Sequence, residues 1–165
     1  MGITGSVMER QTPSGLTLPL PSPLLAMLPS NLQGKPMQWW AQPANALNVA
    51  ALSPGVAQFV TDSNHYFAAW YGCVSVRAVG DQTDLTLNFP TTLTLTDVQN
   101  LNYGPPAVPN DLRNVFGSAA QPAIWPMPLI IAPNSGLIVT LQNLHATQAA
   151  NYRFTWLGAL ILSNN

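Results

Sequence analysis

The sequence predicts an all-β protein: a single jelly roll or β-sandwich of about eight antiparallel strands, preceded by an extended Pro/Leu-rich N-terminal arm. Three observations carry this prediction. Alternating apolar and polar residues recur in short runs from residue 44 onward, the period of a strand with one buried face. Turns containing Pro and Gly punctuate those runs. Neither a heptad, an internal repeat nor a long amphipathic helix is present. The chain accordingly divides into an arm, residues 1–43, and a sandwich domain, residues 44–165.

The arm carries Pro13, Pro19, Pro21, Pro23, Pro29, Pro36 and Pro43. Each proline fixes φ and removes an amide donor, so an extended or polyproline-like path is expected, with at most a helical turn across Leu24 to Leu28. A solvated linker is Gly/Ser-rich or charged, whereas this segment holds Leu18, Leu20, Leu24, Leu25, Met27 and Leu28. It is therefore expected to lie in a groove of another subunit; the alternative is folding back over its own domain. Trp39 and Trp40 mark the join. Adjacent residues on an extended chain face opposite ways, so one indole is expected to meet the domain and the other a partner. The alternative buries both in a local turn. These eight apolar residues form the expected partner interface.

Strands follow in order. Leu47 to Leu52 and Val56 to Thr61 flank a Ser53-Pro54-Gly55 turn, and His65 to Val79 is the longest candidate. Its alternation sets Trp70, Val74 and Val76 on one face and Cys73, Ser75 and Arg77 on the other, with a bulge expected at Gly72. Leu85, Leu87 and Phe89 alternate with polar residues, as do Leu93 and Leu95. Residues 97–123 form a long irregular connection, expected to be functional or covered by a neighbour. Ile124 to Ile131 contains Pro126 and Pro128 and so reads as an edge strand. Leu137 to Asn143 and Tyr152 to Leu162 close the sandwich around the Pro133-Asn134-Ser135-Gly136 turn, where Gly supplies tolerance of positive φ.

Charge is the compositional outlier. Asp, Glu, Lys and Arg make up 7% of the chain, against roughly 25% in ordinary domains. Outward positions such as Thr140 and Gln142 carry no charge, and are read as contact surface. The bases Arg10, Lys35, Arg77, Arg113 and Arg153 are scattered, which argues against nucleic-acid binding. No apolar run is long enough to span a membrane, and no signal-peptide pattern opens the chain.

Chemistry finds few anchors. Cys73 is the sole cysteine, and in one extended strand His65 lies roughly 26 Å away. Cys73 reads as a packing residue, and His145 as an exposed loop residue. Asp62, Asp81, Asp84, Asp97 and Asp111 sit at turns, where Asx-type hydrogen bonding is the plain explanation. The sequence thus predicts neither an enzyme nor a metal or cofactor site. Glycan stacking on Trp39, Trp40, Trp125 or Tyr103 is a further possibility for an all-β scaffold.

Five segments carry a resemblance: Asn114 to Gly117, Trp125 to Ile131, the Pro133-Asn134-Ser135 turn, Val139 to Leu144 and Tyr152 to Gly158. Together they resemble small jelly-roll virion proteins of tailed bacteriophages that act as capsid cement or decoration proteins. The resemblance spans residues 44–162 and leaves the arm aside. It implies a homotrimer on the capsid surface of the virion, binding the major capsid protein, with no catalytic residue and no cofactor. Deleting residues 1–34 is then expected to weaken attachment while leaving the sandwich folded. Alternatives are a shell-forming single jelly-roll capsid protein, a vertex or fibre-base protein, and a receptor- or glycan-binding module.

Overall fold

The computed structural model describes residues 25–80, 83–85, 88–97 and 109–163. Its spine is the pairing of the two longest strands, β4 (His65–Ala78) with β9 (Ala150–Leu162). Around them lie β1 (Met37–Pro43), β2 (Leu47–Val49), β3 (Pro54–Val60), β5 (Thr91–Asp97), β6 (Asn110–Asp111), β7 (Ala123–Ile131) and β8 (Gly136–Asn143). One short helix, α1 (Leu112–Val115), follows β6, capped by the Asp111 carboxylate accepting from Arg113 N–H.

Two antiparallel sheets result. The larger has the order β1-β9-β4-β7, with β2 also on β9; the smaller has the order β3-β8-β5-β6. The pairs are nested in sequence: β1 and β2 with β9, β3 with β8, β4 with β7, β5 with β6. The molecule is thus an all-β sandwich whose connectivity is compatible with a jelly roll.

The inner faces meet as the alternation predicts. Tyr152, Phe154 and Trp156 on β9 are fully buried and stack in succession at 6.3 Å. Leu137, Val139 and Leu141 face them from β8. Burying each such side chain contributes roughly 1.5–3 kcal/mol. Inside this core the hydroxyls of Thr91 and Tyr152 bond at 2.8 Å, linking the two sheets.

Four local features depart from the expected pattern. First, the sheet begins at Met37, ahead of the expected boundary at Ala44. Pro36 and Pro43 bracket β1, and an edge strand tolerates a proline at its end. Second, the bulge in β4 falls between Ala69 and Tyr71, not at Gly72. Trp70 therefore leaves the face of Val74 and Val76 and enters a second cluster on the outside of the large sheet. Gly72 has a different reason: a Cβ there would meet Trp125 at 2.8 Å and Phe116 at 2.9 Å. Third, the positive φ of the Pro133 turn, 56°, belongs to Asn134. Gly136 is needed because a Cβ there would collide with the Phe59 carbonyl. Fourth, the described part of residues 83–89 forms one bridge, Asp84 to Arg77, rather than a strand. Leu85 and Phe89 still pack on the core.

Strand β7 is an edge, as its prolines require. It pairs with β4 at Ala123–Ile124 and again at Leu129–Ile131. Between these the Trp-Pro-Met-Pro segment arches away, since Pro126 and Pro128 offer no amide to a ladder. The Trp125 ring folds back, its indole donating to the Val115 carbonyl at 3.0 Å, while Met127 stays 71% exposed.

Candidate functional site

A two-layer sandwich has two outer faces, and here they differ. On the large sheet, Trp39, Ala68, Trp70, Leu157, Ala159 and Ile161 form the second apolar cluster. Leu28 and Leu32 cover it and are themselves buried. They reach it through tight turns, with Leu28 N–H donating to Leu25 O and Leu32 N–H to Pro29 O. Trp39 stacks on Trp70 with centroids 6.2 Å apart and meets Tyr71 edge-on. The Lys35 ammonium donates to the Ser163 carbonyl at 3.0 Å, tying the end of this cover to the chain's last described residues.

Among the described residues no such layer lies on the outer face of the small sheet. Register places Pro54, Gln142 and Thr92 in one row, Val56, Thr140 and Thr94 in the next, and Gln58, Ile138 and Thr96 in the third. None of these side chains is ionisable, and all are exposed or half-buried. Val56 and Val60 are 50% and 60% exposed on β3, the edge strand. Natural sheets protect such edges with lysine, charge or a covering segment. Here Asn45 caps part of the edge, its N–H donating to Gln58 O and its side-chain oxygen accepting from Gln58 N–H at 2.7 Å.

Other apolar groups project elsewhere. Ile124 and Met127 stand on the β7 edge, 67% and 71% exposed. At one end of the sandwich Leu52 is 61% exposed on a left-handed backbone with φ 54°. Its N–H donates to the His145 carbonyl, placing it by the loop that carries exposed Leu144. Asn143 anchors that loop: its buried amide donates to Ala50 O and Gln148 O and accepts from His145 N–H.

The expected interface residues do not share one surface. Leu25, Leu28 and Trp39 come together in the outer cluster of the large sheet, with Leu28 and Trp39 buried by their own chain. Met27 is exposed beside it. Trp40 lies on the opposite side of β1, half-buried against the inter-sheet core, its indole donating to Gln42 Oε1 at 3.1 Å. Adjacent tryptophans thus face opposite ways, yet both meet this chain. Leu18, Leu20 and Leu24 lie outside the described residues. The contribution of β3 and β5 to the bare face was not singled out from sequence; its signal is the Thr92-Leu93-Thr94-Leu95-Thr96 alternation.

The chemically capable residues are each engaged separately. The Cys73 thiol points at the Thr155 carbonyl at 3.6 Å, and burial pushes its pKa up. His65 Nδ1 lies 2.9 Å from both Asp62 carboxylate oxygens. The Asn64 amide, foremost, and then the His65 ring hold the Asp62 carboxyl below its usual range. His145 is half-buried rather than exposed. Its ring stacks on Phe89 at 5.2 Å and its Nδ1 accepts from Gln148 N–H at 2.9 Å. Asp111 pairs with Arg113 at 3.3 Å, and Asp97 is buried at the end of β5. Asp81 and Tyr103 lie outside the described residues. Among the described residues no three of His, Cys, Asp and Glu gather as a metal site, and no helix is long and apolar enough to cross a membrane. Comparison of the chain with protein-family profiles, with curated proteins and with solved structures returned no match.

Proposed function

We propose that this chain is a structural virion protein of the cement or decoration type. In this reading it sits on the outer capsid as a homotrimer, binds the major capsid protein and stabilises contacts between capsid subunits. It is not an enzyme: the thiol, both imidazoles and the Asp62 and Asp111 carboxylates are each taken up by local structural bonds.

The observation that carries the reading is the outer face of the small sheet across β3, β8 and β5, whose three rows carry no charge and over which no described segment lies, with the Asp111–Arg113 pair at its β6 margin. Three strands about 4.8 Å apart and some six residues long present a footprint of roughly 300 Å². A free-standing stable interface needs about 800 Å² per partner. Such a face is too small to hold a dimer alone but suffices where symmetry repeats it many times over a shell. Exposed apolar groups on the β7 edge and at the Leu52–Leu144 end fit the same picture, since a lattice component meets neighbours on several sides. Glycan stacking draws less support: Trp39 is buried, and Trp40 and Trp125 are half-buried with their indoles bonded within the chain.

The test uses purified shells lacking this chain. The parental protein is expected to bind at fixed copy number and raise the temperature at which shells break. A Val56→Lys, Thr94→Lys, Thr140→Lys variant should fold yet bind about ten-fold fewer copies, because each buried ammonium must be desolvated. Equal binding by the variant, or no binding by either, would overturn the proposal. Copy number also separates this reading from a shell-forming jelly-roll protein, in which the chain itself is the major component.

A further inference from the structure

The loop between β8 and β9 is organised around one imidazole. His145 Nδ1 accepts from the backbone N–H of Gln148 at 2.9 Å and of Thr147 at 3.3 Å. The same residue donates its own N–H to Asn143 Oδ1 at 2.9 Å, and its carbonyl accepts from Leu52 N–H at 3.2 Å. Its ring lies flat on Phe89, 5.2 Å away and 2° from parallel. One residue thus ties the loop to itself, to the tip of the β2–β3 turn and to the rim of the core. What it holds is the apolar end of the sandwich, where Leu52 and Leu144 stand exposed and Leu52 keeps a left-handed backbone. A leucine at positive φ is kept there by its surroundings, against its own preference.

A ring nitrogen that accepts two N–H groups must carry a lone pair, so Nδ1 is bare and the proton of the neutral ring sits on Nε2. A proton on Nδ1 would set a third N–H against two others and leave both amides without their acceptor. Thr147 is exposed, so water can take over its N–H; Gln148 is half-buried, and its loss is felt more. The Phe89 face offers an imidazolium some attraction, but across the ring plane, and it supplies nothing to the two amides. The ion pairs among the described residues are Asp62–His65 and Asp111–Arg113, and neither includes this ring. The rest of the loop and the Ala50–Ser53 turn hold no ionisable side chain. Behind Phe89 lies Tyr152, its hydroxyl bonded to Thr91. On the same strands Arg77 and Arg153 project from the outer face of the large sheet, and Asp84 is bridged to Arg77. Asp111 and Arg113 lie beyond β5, and Asp97 sits at the far end of that strand. The proton state of His145 is therefore set against two backbone amides and no carboxylate partner.

We propose that His145 is a proton-operated latch. Unprotonated, it fixes the loop from Leu144 to Ala149 and with it the apolar Leu52–Leu144 end; protonated in mild acid, it lets that loop open. Histidine is the side chain whose charge ordinarily changes between about pH 5 and 8, so the device works in a physiological range. Asn143, fully buried and bonded to Ala50 O, is the fixed base of the loop. Strands β8 and β9 keep their ladders with β3, β5 and β4, so the opening is confined to the loop and the tip it holds. The latch is a property of the isolated chain and acts whatever neighbour meets that end.

Two measurements on the full chain test the latch. Imidazole nitrogen NMR at about pH 7.5 is expected to show Nδ1 of His145 bare and Nε2 carrying the proton. Amide hydrogen exchange, corrected for the intrinsic rate at each pH, is expected to show protection of Gln148 and Leu52 falling about ten-fold between about pH 7.5 and about pH 5, with the amides of β8 and β9 unchanged. His145→Phe keeps a stacked ring and removes the acceptor, so Gln148 should be poorly protected at both values and indifferent to pH. His65→Asn should keep the parental response. An unchanged amide spectrum outside the loop certifies the fold of each variant, and the parental measurements stand without them. A proton on Nδ1 at about pH 7.5, equal protection at the two values in the parent, or a response that survives His145→Phe or vanishes in His65→Asn would overturn the latch.

Discussion

The two outer faces of this sandwich are built from the same strand alternation and come to opposite ends. On the large sheet the outward residues near β1 are Trp39, Trp70, Leu157 and Ile161, and the chain spends residues 25–36 covering them. On the small sheet the outward residues of β3, β8 and β5 are Pro, Thr, Gln, Val and Ile, and no described segment lies over them. A face of large aromatics must be covered for the monomer to stay in solution. A face of threonines tolerates water and still offers little desolvation cost to a partner. The difference teaches that low charge alone does not mark an interface; what matters is whether the chain hides the uncharged surface itself.

Breaking the covered face should have the largest effect. Trp70→Ala removes a fully buried indole and is expected to cost about 3–5 kcal/mol, read as a lower urea midpoint at unchanged slope. Leu32→Ala probes the cover directly, with an expected loss of about 2–3 kcal/mol; a loss below about 0.5 kcal/mol would mean the turn does not dock in solution. For the same reason, deleting residues 1–34 removes Leu28 and Leu32 and uncovers Trp70, so it tests stability as well as attachment. Removing residues 1–24 alone is the cleaner probe of the arm.

The bare face should respond in reverse. Thr140→Lys is expected to change stability by no more than about 0.5 kcal/mol in chemical denaturation, while lowering shell binding. A large stability loss would show that the face is covered after all. The smallest effect belongs to the corner where the chain crosses from one sheet to the other. Asp62, held below its ordinary 3.8 by Asn64 N–H and then His65, favours the folded state in its charged form. Its contribution is complete above that unfolded value and is lost as pH falls through the lower folded one. In Asp62→Asn the pH dependence of thermal unfolding below about pH 4 should therefore flatten, with the unfolding temperature slightly below the parent's near neutrality and the two converging in acid.

Much of this architecture was legible because period-2 alternation is a local signal. The inward triad Tyr152, Phe154, Trp156 and the edge character of β7 follow from residue identity alone. What escaped depends on distant partners. The face of Trp70 turns on a bulge opposite the proline arch of β7, which no window of β4 contains. Met37–Pro43 reads as part of the arm until β9, far along the chain, supplies the ladder that makes it a strand. The bare face was legible on β8, through Thr140 and Gln142, but its rows join three strands whose alignment only register fixes.

The nested order of the pairs also governs when the molecule can exist. The strand that opens the large sheet waits for the one that ends the described chain, so during synthesis β1 has no partner until β9 emerges. Loop closure over such distances is slow, and folding on a timescale of roughly milliseconds to seconds is expected. Through that interval Trp39, Trp40 and the apolar turn at Leu28 stand unpaired, the earliest-made part of the sandwich and the last to be completed.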